Sequence, residues 1–69
     1  MIIEIRENFI KLDTLLKLSG VASTGGQAKI MILSDMVKVN GEICNMRGKK
    51  IYEGDKVEIE NEIIEVKTT

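Results

Sequence analysis

Apolar positions recur along this chain with two different periods. From Phe9 to Leu33 they fall at helical spacing, whereas before Ile5 and after Met36 they mostly alternate with polar residues. The block from Ser23 to Glu42, STGGQAKIMILSDMVKVNGE, holds the change of period. Thr24 with Gln27 three residues later forms a capping-box signature, and Ala28, Met31 and Ile32 then mark a narrow apolar stripe. This predicts a helix over about Gly25 to Leu33. After Ser34-Asp35, Val37-Lys38-Val39 alternates as a strand does. Asn40-Gly41 is a type I′ turn signal, because both residues tolerate positive φ.

The flanking segments supply partners for this block. Ile2, Ile3 and Ile5 predict a short strand with Glu4 on the other face. Leu12, Leu15 and Leu16 predict a first helix, to which Phe9 adds at the amino end and which Gly20 stops in a left-handed conformation. Asp13 and Lys17 suit the two ends of that helix and stand four residues apart as an ion pair. Beyond Met36 everything reads as strand and turn. Glu42 to Cys44 is followed by the basic loop Asn45 to Lys50, the extended piece Ile51-Tyr52 and the turn Glu53-Gly54-Asp55. A closing hairpin runs from Lys56 to Val66 through Asn61-Glu62. The expected architecture is α+β: two packed helices against a small, mainly antiparallel sheet.

Sixty-nine residues allow one hydrophobic core and a single domain over 1–69. There is no His and one Cys, so neither an internal disulfide nor a Cys/His zinc set can be assembled. The lone Cys44 fits a reducing, cytoplasmic setting, and no metal or other cofactor is expected. No apolar run approaches the roughly 20 residues of a membrane helix, and the amino terminus lacks a signal-peptide pattern. The chain therefore reads as a soluble, unprocessed protein with no membrane partner.

The formal net charge of −1 conceals segregation. Lys17 to Lys50 carries six cations against two acids, a net of +4, whereas Ile51 to Thr69 carries six acids against two cations, a net of −4. Either one end of the domain is basic, or the charges segregate in sequence alone on an ordinary solvated surface. The two glycines opening the second helix also allow two readings. They expose the first N–H groups to an anion at the positive end of the helix dipole, or they permit a close helix approach.

Several of these residues together resemble a known family. Lys11-Leu12-Asp13-x-Leu15-Leu16, Gly20-Val21, Thr24-x-x-x-Ala28-Lys29, Val37-Lys38-Val39-Asn40-Gly41-Glu42 and Gly54-Asp55-x-Val57 are similar to the RNA-binding domain named after the fourth small-subunit ribosomal protein, the S-four domain. The match covers about residues 9 to 60, and Val-Lys-Val-Asn-Gly-Glu is its most specific part. In size and in Gly-Gln-Ala-Lys-Ile the chain looks most like the short stand-alone bacterial members of the YbcJ type. The resemblance implies the αL fold and binding to structured RNA, ribosomal or transfer RNA, with ribosome-associated proteins as further partners. Carried onto matching positions, it nominates Lys11, Thr24, Gly25, Gln27, Lys29, Lys38 and Asn40 for the RNA face. Many members carry an Arg after the capping residue where this chain has Gly25, so a bidentate phosphate contact is missing here.

Read for their chemistry, the residues point the same way. Phe9 and Tyr52 are the sole aromatics, too few for the stacking platforms of single-strand binders, so recognition should rest on phosphates and helix shape. Lys11, Lys29, Lys38, Arg47, Lys49 and Lys50 are the candidates for that work. No enzyme emerges: there is no His to act as acid or base or to activate Cys44, and Gly25-Gly26 lacks the Lys-Ser/Thr of a phosphate loop. The alternative is a non-catalytic adaptor that binds protein through a sheet edge or its acidic end. The ending Lys67-Thr68-Thr69 speaks against a ubiquitin-like sulfur carrier.

Overall fold

A computed structural model describes residues 1–69. The chain runs β1 (Ile2–Ile5), β2 (Phe9–Lys11), α1 (Leu12–Leu18), α2 (Gly25–Leu33), β3 (Val37–Val39), β4 (Glu42–Ile43), β5 (Lys50–Tyr52), β6 (Lys56–Ile59) and β7 (Glu62–Thr68). Five strands form one sheet in the order β1-β7-β6-β3-β4, and β2 pairs with β5 in a separate two-stranded ribbon. All pairings are antiparallel except β1 with β7, which is parallel.

Alternation explains the sheet. Val37, Val39, Val57, Ile59, Ile64 and Val66 point to one face and are buried, together with Ile5 of β1. Leu12, Leu15 and Leu16 of α1 and Ala28 and Ile32 of α2 complete the core from the helical side. No polar side chain is buried, so burial of aliphatic surface stabilises this fold without a compensating polar network.

The second helix spans the residues that its cap predicts. Thr24 is extended (φ −138°, ψ 164°), and its Oγ1 accepts from the Gln27 N–H at 3.1 Å. The reciprocal bond lands one residue upstream of a standard capping box: Gln27 Oε1 accepts from the Ser23 N–H at 2.6 Å. Thr24→Ala is expected to destabilise the domain by about 1 kcal/mol in urea unfolding, because one helix N–H loses its acceptor. The far end closes as a Schellman motif. Asp35 adopts φ 59°, its N–H reaches the Ile32 carbonyl, and the Met36 N–H reaches that of Met31. The β3–β4 turn has Asn40 at φ 52° and Gly41 at φ 86°, as a type I′ turn requires.

The first helix is shorter than its pattern suggests. Phe9, Ile10 and Lys11 are a strand, paired with Tyr52, Ile51 and Lys50 respectively. Lys11 is the N-cap but offers no side-chain acceptor. The first helical N–H groups instead donate to the basic loop, Leu12 to the Lys49 carbonyl at 2.9 Å and Asp13 to the Arg47 carbonyl at 3.1 Å. Asp13 likewise pairs with Arg47 (Nε to Oδ2, 3.4 Å) and not with Lys17. A distant loop thus does the capping that a local side chain usually does.

The last strand is pinned by a carboxylate. Glu53 Oε1 accepts from the Thr68 N–H at 2.8 Å and from the Thr68 hydroxyl at 2.9 Å. The backbone hydrogen bond, then the hydroxyl, hold Glu53 below its ordinary value of 4.5. A depressed carboxylate stabilises the fold above its unfolded value and loses that contribution as pH falls through the folded one. Stability should therefore drop as pH falls below about 4.5. Glu53→Gln should narrow the difference between melting temperatures at about pH 7 and about pH 3.

Candidate nucleic-acid interface

All ten candidate residues are exposed, but they lie on three parts of the molecule. The first is the ribbon with its loop. In β2 and β5 the middle residues, Ile10 and Ile51, face the core, and Ile51 is fully buried. The residues on either side must then share the opposite face: Phe9 with Tyr52, and Lys11 with Lys50. Two lysines thus stand directly opposite each other on one short ribbon. Arg47 and Lys49 belong to the adjoining loop, whose carbonyls are tied to the start of α1. Lys11, Arg47, Lys49 and Lys50 therefore converge around one end of the domain. Arg47 alone of the four has an acidic partner, Asp13.

The second part is the start of α2, with Thr24, Gly25, Gln27 and Lys29. The Thr24 and Gln27 side chains are engaged in capping, and Lys29 is free of ion pairs. A Cβ on Gly25 would meet nothing within 4 Å, and one on Gly26 only the Thr24 hydroxyl at 3.8 Å. Neither glycine is needed for a close helix approach, so of the two readings the open N-terminus remains.

Lys38 and Asn40 make up the third part. The alternation that buries Val37 and Val39 turns Lys38 to the sheet face away from the helices, opposite Glu58 in register. Lys56 lies opposite Glu65, and Glu4 beside Lys67, on that same face. Of the six acids from Ile51 to Thr69, Glu58 and Glu65 thus stand opposite lysines across strands. Asn40 is a clamp. Its Oδ1 accepts from the Lys56 N–H at 3.0 Å, and its Nδ2 donates to Asp55 Oδ1 at 3.0 Å. Asp55 Oδ2 in turn accepts from the Tyr52 N–H at 2.8 Å, joining the β3–β4 turn to β5.

The sequence reading missed the aromatic pair. The Phe9 and Tyr52 rings lie 5.9 Å apart at an interplanar angle of 49°, and Lys50 Nζ stands 4.8 Å from the centre of the Phe9 ring. The signal was the matching polarity of Phe9-Ile10-Lys11 and Lys50-Ile51-Tyr52, each with an isoleucine at its centre. No group of three or more His, Cys, Asp and Glu side chains converges as a metal site would. Cys44 is half-buried and unpaired, its Sγ 3.9 Å from the Met46 carbonyl oxygen. No helix is long and apolar enough to cross a membrane.

Comparison with known proteins agrees with this architecture. The family model of the S4 domain matches residues 3–67. A protein of Bacillus subtilis (strain 168), named probable ribosome maturation protein RlbA, is 47% identical over 58 residues. The alignment covers 84% of this chain and 82% of that protein. An α+β domain with two helices, a mostly antiparallel sheet and a family match over nearly its whole length leaves one assignment: this chain belongs to the S4 domain family.

Proposed function

We propose that this chain binds structured RNA, ribosomal or transfer RNA, through phosphate contacts and takes part in ribosome maturation in the cytoplasm. The observation that carries the proposal is the opposed pair Lys11 and Lys50, with Lys49 and Arg47 beside them. Like charges directly opposite on a ribbon cost stability, and a bound phosphate backbone reverses that cost. Family membership and the name of the Bacillus subtilis relative support the ribosomal setting. We read the two helices with the β3–β4 hairpin as the αL RNA-binding motif. The start of α2, with its open N–H groups and Lys29, is assigned to a neighbouring stretch of the same RNA. Lys38, opposite Glu58, and Asn40, occupied as a clamp, have secondary roles. We assign the domain no catalytic role: Cys44 stands unpaired, and the chain has no His to activate it.

Titration of labelled ribosomal and transfer RNA at several salt concentrations tests this reading. About three to five engaged phosphates give a log–log slope of roughly −2 to −4. Absence of binding at low salt overturns the proposal and transfers the weight to a protein-binding adaptor.

A further inference from the structure

Beside the ribbon lies a groove between the β3–β4 hairpin and β5. Its walls include Ile43, Met46 and Tyr52, and Asn45, Lys49 and Lys50 border it. The three apolar side chains are strongly exposed for residues of their type: Ile43 58%, Met46 63% and Tyr52 48%. A core this small would gain by covering them, yet the hairpin and loop hold them open. Tyr52 is held in place, too. Phe9 supports its ring from one side, and Asp55 fixes its backbone through the clamp on Asn40. Asp55 spends both carboxylate oxygens on that clamp, whereas Glu42, also in the wall, and Asn45 make no side-chain hydrogen bond.

From this juxtaposition we infer that the groove takes one unpaired nucleobase of the bound RNA, stacked on Tyr52, with the adjoining phosphates on Lys49 and Lys50. A tyrosine buttressed by a second ring offers a π-face at little entropic cost, and stacking of this kind tolerates any base. Ile43 and Met46 supply the apolar contact opposite. Glu42 and Asn45 are free to address the edge of the base. The charge order fits a nucleotide and not an apolar peptide, because cations border the apolar wall where the sugar-phosphate chain would leave it. The inference rests on the RNA-binding reading for its phosphate contacts and adds recognition of a single-stranded element to it.

Tyr52 is the one tyrosine in a chain without tryptophan, so its fluorescence reports this groove alone. Three probes separate the terms: a short single-stranded oligoribonucleotide, an abasic strand with the same number of phosphates, and a blunt RNA duplex. The base-bearing strand should quench Tyr52 fluorescence and bind about tenfold tighter than the abasic strand. Tyr52→Leu should erase that difference, Tyr52→Phe should keep most of it, and duplex affinity should hardly change in either. Both variants alter an exposed side chain, and thermal melts check that they fold. Equal affinity for the base-bearing and abasic strands overturns the inference while duplex binding leaves the broader reading intact. So does a Tyr52→Leu variant that still distinguishes them. Failure of all three probes to bind removes both.

Discussion

Simultaneous replacement of Lys11, Lys49 and Lys50 by glutamine is expected to weaken RNA binding and to make the fold more stable. Each lysine that neutralises a phosphate adds about one unit to the salt slope, so the triple variant should be shallower by about 2–3 units. The largest loss of affinity should then appear at low salt, where counterion release contributes most. Stability should move the other way. Lys11 and Lys50 face each other across the ribbon, and relieving that repulsion is worth roughly 0.2–1 kcal/mol. Loss of the Lys50 contact with the Phe9 ring offsets part of the gain. Weaker binding with an unchanged or raised melting temperature marks residues kept for a ligand. Weaker binding with a lowered melting temperature would assign these lysines to the fold instead.

Ile51→Ala should have the largest effect on stability. Ile51 is fully buried, the single residue through which β5 enters the core. Truncating a buried isoleucine to alanine costs about 2–5 kcal/mol. By chain length the whole domain is stable by roughly 3–10 kcal/mol, so the variant should lose a large share of that stability and unfold at much lower urea. The ribbon should loosen first, because its remaining anchor, Ile10, is only half-buried. Hydrogen exchange of the Leu12 and Asp13 amides reports this, since both donate to the loop that leads into β5. Protection lost there while the Ile32 amide stays protected would show the ribbon opening as a local unit.

The parts of this fold that depend on neighbours in sequence were readable from the sequence. The Thr24 cap, the bounds of α2 and the Asn40-Gly41 turn each follow from a few adjacent residues, and the structure keeps them. Phe9 was misread because it stands three residues before Leu12, where an apolar side chain extends a helical stripe as well as it starts a strand. Only the pairing with Lys50 to Tyr52, far along the chain, decides between the two. The same holds for Asp13: its local partner Lys17 was visible in sequence, and its actual partner Arg47 was not. At the site, the identity of the cations was legible but their grouping was not. Alternation around Lys38 already implied a side turned from the core. The convergence of Lys11 with Lys50, and the aromatic pair beside them, required the ribbon itself.

The parallel pairing of β1 with β7 also sets the order in which the domain can assemble. β1 finds its neighbour only after the intervening helices and strands have followed, since Ile2 sits beside Glu65 and Ile5 beside Thr68. Closing so long a loop is entropically late, and contacts of such sequence separation slow folding. The helices and the β3–β4 hairpin need only local contacts and can form early, but Ile64 and Val66, which complete the core, arrive with the last strand. Until they do, the apolar face of the sheet lies open. A copy that has not yet closed this pair therefore exposes apolar surface through which it can aggregate.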